Sequence, residues 1–159
     1  MRDHTVTRSA DGKKFYILST DLSLCYGMRS QYHGSWDEIG RKGSHFLSLW
    51  ESEDLVHWTE QRLIPVGTER LGCCWAPDIL AEKDGSFLLH WSSPVVDDDY
   101  AKKRIFCRRT RDFANFRRAD AEFSFPYGFK HGTILKITDE EYERIRSFDF
   151  AAEEQGSPC

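Results

Sequence analysis

The chain has 159 residues, a net charge of −4, 40% apolar residues and 14% aromatics. Such a length makes one domain. The acidic balance without a basic stripe excludes a nucleic-acid binder, and no apolar run reaches membrane-spanning length.

Met1 to Ser23 reads as a strand, a turn at Asp11-Gly12, and a second strand. Asp-Gly supplies the positive φ that a tight hairpin needs. Cys25 to Ser44 is rich in Gly, Ser and charge and is predicted to be a long loop. Trp36 within it is the best candidate for an exposed aromatic, because nothing near it has core periodicity. His45 to Glu51 alternates and reads as a strand. Asp54 to Trp58 reads as a turn entering a short strand, and Arg62 to Val66 as a further extended piece.

Cys73 to Ser93 is the centre of the sequence. It carries Trp75-Ala76-Pro77-Asp78, a short apolar run, the turn Asp84-Gly85 and a second apolar run from Phe87 to Trp91. Two strands across a turn is the direct reading. Asp97-Asp98-Asp99 is predicted to be a solvated acidic turn, with a calcium site as the alternative if further oxygens converge on it. Lys103 to Arg109 reads as a strand; Phe123 to Tyr127 and Gly132 to Ile137 read as extended runs. Thr138 and Glu141 form a capping box. They predict a helix to about Phe148, with Tyr142, Ile145 and Phe148 on one face. The domain is placed at residues 1–150, with a disordered tail at 151–159.

The five cysteines have no zinc spacing and fit a reducing compartment better than a disulfide scaffold. No signal peptide is recognisable, which predicts a cytoplasmic protein. Met1 stands directly before the first repeat, so a leader lost upstream would not be seen.

Two segment pairs repeat. Asp3 and Asp11-Gly12 with Phe15 to Leu18 match Asp78 and Asp84-Gly85 with Phe87 to Trp91, the two aspartate pairs being 75 and 73 residues apart. Ser52 to Trp58 matches Thr110 to Phe116 at a spacing of 58, the shortfall reflecting the longer loop of the first unit. Both members read hydroxyl, any, Asp, apolar, two variable residues, aromatic. Repeated units of about four short strands predict a β-propeller. Propellers need about four to eight units, and this chain has residues for two or three. Aromatic-rich composition suits a β-core and also the stacking of flat faces on sugar rings.

Four segments, RDHTVTRSADGKKFYILSTDL, LWESEDLVHW, WAPDIL with DGSFLLHWSS, and KRIFCRRTRDFANF, resemble glycoside hydrolase family 43 in that family's order. KHGTILKITDEEYERI resembles the segment that ends the propeller in some members. The resemblance implies an all-β, partial β-propeller chain, about two to three blades of five, with a short C-terminal helix. It also implies inverting hydrolysis of arabinofuranosyl or xylosyl linkages in plant-type oligo- or polysaccharides; some members bind a cation in the central channel, which His131 would line, but no cofactor or metal is expected here.

The resemblance places the general base on Asp3, although His4 stands where the family has proline. The family's other two carboxylates belong to stretches that this sequence lacks, and Glu122 is the nearest replacement for the acid. Substrate contacts are expected from Trp36, Trp75, Asp78 and His131. On the residues alone, an Asp before a strand is a turn residue, Trp75 is core, Asp78 is a hydrogen-bond anchor at the funnel mouth or, equally, a capped strand end, and His131 is structural. The alternative function is a non-catalytic fragment that binds sugar through its aromatics. A partial propeller also leaves an open edge, which predicts self-association.

Overall fold

The computed structural model describes residues 2–126, 128–129, 132 and 138–147. It is built from two four-stranded antiparallel sheets. The first has the order β1 (Arg2–Arg8), β2 (Phe15–Thr20), β3 (Phe46–Ser52), β4 (Arg62–Pro65). The second repeats it as β5 (Trp75–Ala81), β6 (Phe87–Pro94), β7 (Lys103–Thr110), β8 (Arg117–Arg118). Each sheet is an up-and-down meander, and β1 lies against β5. This is the predicted all-β architecture: two propeller blades side by side, with no closed ring.

The hairpin turns form as their sequence requires. Gly12 and Gly85 take φ of 74° and 79°, and Asp11 and Asp84 accept backbone N–H bonds from Lys13 and Ser86.

The repeat is structural, but its register differs from the sequence pairing by two residues at one point. Arg2 pairs with Thr20 and Thr5 with Leu18; Trp75 pairs with Ser92 and Asp78 with His90. The two residues skipped in each strand form a β-bulge. Asp3 is therefore the counterpart of Ala76, and Asp78 that of Thr5. The backbone confirms this, because Asp3 and Ala76 share a left-handed φ of 49° and 50°. The predicted Asp3–Asp78 equivalence matched side-chain chemistry across a two-residue slip.

The core sits between the sheets. Tyr16, Leu18, Leu47, Leu49 and Ile64 of the first meet Ile79, Phe87, Leu89 and Trp91 of the second. Strand β6 is buried along its whole length. One face meets the first sheet; on the other, Leu88 and Cys107 are covered by Phe123 and Phe125. The segment after β8, predicted as an extended run from Phe123, joins no strand among the described residues. It lies across the second sheet after a 3₁₀ turn at Asp120–Glu122.

The predicted loop at Cys25 to Ser44 is partly helical. Leu24–Gln31 is a π-helix, with Met28 N–H bonding Ser23 O and Tyr32 N–H bonding Gly27 O. Trp36–Lys42 forms α1. Ser35 caps α1 by accepting the Glu38 N–H at 3.1 Å, and Asp37–Arg41 and Glu38–Lys42 pair one turn apart. The short-range order Ser-x-x-Glu overrides the missing apolar periodicity.

The acidic run is a 3₁₀ turn whose carboxylates each meet an arginine: Asp97 with Arg70, Asp98 with Arg104, Asp99 with Arg41. Helix α2 spans Asp139–Ser147 and starts directly after Thr138, as predicted. Tyr142 is exposed; the side chains of Ile145 and Phe148, the run 133–137 and the tail 151–159 lie outside the described residues. Among the described residues no helix is long and apolar enough to cross a membrane.

Candidate functional site

The bulges carry the two strands' polar residues to one place. Asp3, His4 and Thr5 of β1 line a pocket of about 220 Å³ with Ala76, Pro77, Asp78 and Gly132. All of these but Gly132 come from the inner strand of each sheet, because β1 and β5 are the strands that face each other.

Asp3 is held by its backbone and by one contact. The left-handed φ suits Asp, which enters that region more readily than most residues. Thr20 Oγ1 donates to Asp3 Oδ2 at 3.4 Å and accepts the Ala76 N–H at 2.9 Å. One hydroxyl thus ties the carboxylate to the opposite sheet. His4, where a proline was expected, occupies the second bulge residue, matching Pro77 of the second sheet.

Asp78 is buried, and Thr5 Oγ1 donates to its Oδ1 at 2.6 Å. This hydrogen bond joins β1 to β5 across the two sheets. Asp78 Oδ2 also lies 3.8 Å from His90 Nε2. Of its two sequence readings, the anchor is what the geometry displays.

Trp36 and Trp75 come together although the sequence places them 39 residues apart. Their rings meet edge-on with centroids 6.0 Å apart. Gly72 makes the approach possible: a Cβ there would lie 1.7 Å from Gly40 O of α1. The insertion consequently sits on the entry to β5, and Cys73 N–H bonds Gly40 O. Trp36 is 52% exposed. Arg2 lies over its ring at 5.7 Å, and Lys103 lies over Trp75 at 4.3 Å. Trp75 directly precedes Ala76, which lines the Asp3 pocket; neither tryptophan lines that pocket itself. His131 lies outside the described residues.

Glu122 is not near this pocket. It sits at the outer edge of the second sheet, paired with Arg109 and Arg117. Those guanidinium bonds hold its carboxyl below the usual range, the opposite of what a proton donor at neutral pH requires. Asp3 and Asp78 are the pocket's carboxylates among the described residues. Two lining features were missed in the sequence: the bulge that sets Asp3, and the insertion that delivers Trp36 to Trp75. The Ser35–Glu38 capping pattern would have found the second.

Residues 1–123 match the family described as a probable glycosyl hydrolase domain, which is related to glycoside hydrolase family 43. The chain belongs to that family. It is also 27% identical, over 98% of its length, to an α-L-arabinofuranosidase of Bifidobacterium longum subsp. longum. The match covers 15% of that relative, so the chain spans a small part of the enzyme it resembles.

Proposed function

We propose that the chain carries the general-base half of a glycosidase site for arabinose- or xylose-containing glycans. The supporting observation is the shared pocket at the inner-strand ends, where Asp3 stands on a bulge and Ala76, the residue after Trp75, forms the facing wall. In this reading Asp3 takes a proton from water, whose oxygen attacks the anomeric carbon with inversion. Trp36 and Trp75 stack on sugar rings. Thr20 steadies the base, and Asp78, through Thr5, keeps the two inner strands in register.

An inverting enzyme needs a second carboxyl group about 6.5–9.5 Å from the base to protonate the leaving oxygen. Glu122 is engaged elsewhere, and Asp78 already accepts from Thr5. This favours the second reading, a module that binds glycan without hydrolysing it, for substrates with poor leaving groups. General acid assistance is worth roughly a hundred- to ten-thousand-fold. The expected outcome is therefore cleavage of aryl arabinosides or xylosides, whose phenolate leaves unaided, with little release of sugar from arabinoxylan.

The test measures aryl alcohol release by wild type and Asp3→Ala, beside sugar release from the polymer. Loss of at least a hundredfold in Asp3→Ala supports the base. Activity surviving in Asp3→Ala removes it, and rapid turnover of arabinoxylan would mean that an acid is present after all. Binding of arabinoxylan without any hydrolysis would leave the binding module as the function. The open face of the first sheet adds a proposal of self-association, taken up in the Discussion.

A further inference from the structure

The insertion between β2 and β3 builds a cavity of its own. It encloses about 480 Å³ between the π-helix, the end of α1 and the start of β5. Its walls include Tyr26, Tyr32 and Trp75, and its polar groups include Asp21 and Lys42. Volumes of a few hundred cubic ångströms with an apolar lining and a few placed polar groups are typical of small-ligand sites, and π-helical turns recur at functional sites.

The polar groups narrow the ligand chemistry. Asp21 is fixed by Ser44, whose Oγ donates to Oδ2 at 2.6 Å. Oδ1 has no hydrogen-bond partner among the described residues, so it remains available as an acceptor. The ammonium of Lys42 is already paired with Glu38 at 2.7 Å. Burial and the nearby Asp21 raise the Tyr32 phenol above its usual pKa, so it stays a neutral donor. Its hydroxyl already reaches Lys42 O at 3.2 Å. An anion would face the Asp21 carboxylate without a free cation to balance it, and a purely apolar ligand would strip that carboxylate of water. A neutral polyol ring satisfies both: hydroxyls donate to Asp21, and the C–H face lies on the tyrosines. Tyr26 is 79% exposed at the mouth, where its ring face is open to a ligand.

Trp75 lines this cavity, and the next residue, Ala76, lines the Asp3 pocket. Consecutive residues of β5 thus line one cleft each, although the two clefts share no residue. We propose that the insertion cavity is a second sugar-binding subsite, which holds a neighbouring residue of the glycan whose terminal sugar reaches Asp3. The inference rests on the glycan reading above and goes beyond it by assigning a second site and a preference for longer chains.

The experiment titrates the full chain with an aryl arabinoside and with arabinoxylo-oligosaccharides of increasing length. Binding is followed by tryptophan fluorescence and checked by calorimetry. Wild type, Tyr26→Ala and Asp21→Asn are compared; Tyr26 is exposed, and Asn retains an oxygen for Ser44, so both variants should fold. The expected result is that longer oligosaccharides bind wild type at least tenfold more tightly than the aryl glycoside, and that either substitution removes that advantage while leaving the aryl glycoside unchanged. Equal binding of all lengths by wild type, or an advantage that survives both substitutions, overturns the subsite and leaves the Asp3 reading standing. No binding of any of these carbohydrates by wild type overturns both.

Discussion

His90 is the residue whose environment departs furthest from its chemistry. It is 1% exposed, and neither ring nitrogen has a hydrogen-bond partner among the described residues. Phe125 and Phe129 lie against it, with ring centroids 5.5 and 6.2 Å away. Burial depresses its pKa, and the Asp78 carboxylate only partly opposes this. The unfolded chain then binds a proton more readily than the folded one. Stability should be full above about pH 6.5, the ordinary histidine value, and should fall as the pH drops toward the depressed folded value. The corresponding position of the first sheet is Leu18. We expect His90→Leu to flatten the pH dependence between pH 7.5 and 5.5. At pH 7.5 it should be at least as stable as wild type, with any gain bounded by the ~1–3 kcal/mol that an unsatisfied buried polar group costs. Urea titrations at the two pH values measure this; an unchanged slope in the variant would show that His90 is not the titrating group.

At the scale of the element, the repeated Ser52–Trp58 and Thr110–Phe116 segments are one device used twice. Ser52 and Thr110 accept backbone N–H bonds at the turn entry. Asp54 accepts from Val56 and His57, and Asp112 from Ala114 and Asn115. The His57 side chain and then the backbone donors hold the Asp54 carboxyl far below the ordinary range, and the Asn115 backbone and side chain with the Ala114 N–H do the same for Asp112. The apolar residue after each Asp is left-handed, Leu55 at φ 66° and Phe113 at 54°. The outcome differs because the neighbourhoods differ. Phe113 is 4% exposed and packs on Tyr16 and Phe87 at 5.0 and 4.8 Å; Leu55 is 51% exposed. Phe113→Ala should cost about 3–5 kcal/mol, as large-to-small core changes do, and Leu55→Ala less than about 1 kcal/mol. Similar losses measured by chemical denaturation would mean that the two sheets do not pack as described.

The same turns show what the sequence could reveal. Hairpins and repeats were legible because Asp-Gly and Ser/Thr-x-Asp act through bonds to near neighbours. The bulge at Asp3 was not, since its evidence is the pairing of Arg2 with Thr20, which lies 18 residues away on another strand. The covering role of Phe123 and Phe125 was hidden for a like reason: an apolar alternation also describes a strand. Trp36 was correctly read as exposed, yet its helix was missed because Ser35 and Glu38 were weighed less than periodicity.

For the whole molecule, the two faces of the sheet pair are treated unequally. The outer face of the second sheet is covered by Phe123 and Phe125, whereas the outer face of the first leaves Val6, Phe46 and Leu63 about half exposed, beside a partly buried Ile17. Its counterparts in the second sheet, Ile79, Phe87 and Leu89, are buried against the first. A second copy cannot dock head to tail while the other outer face is covered, so like must meet like. The self-association proposed above is therefore expected to be a two-fold dimer through paired open faces. Sedimentation should show concentration-dependent dimers that Val6→Asp with Leu63→Asp abolishes. A monomer at every concentration, or a dimer that survives both substitutions, would refute the pairing.

The left-handed bulge occurs twice around a single pocket, once bearing a carboxylate at Asp3 and once bearing only a methyl group at Ala76. A carboxylate stands on one copy of a duplicated backbone and none stands on the other. Asp is among the residues that tolerate that conformation. Ala76 is thus a vacant address, where a second acidic group could be installed without asking the main chain for a shape it does not already hold.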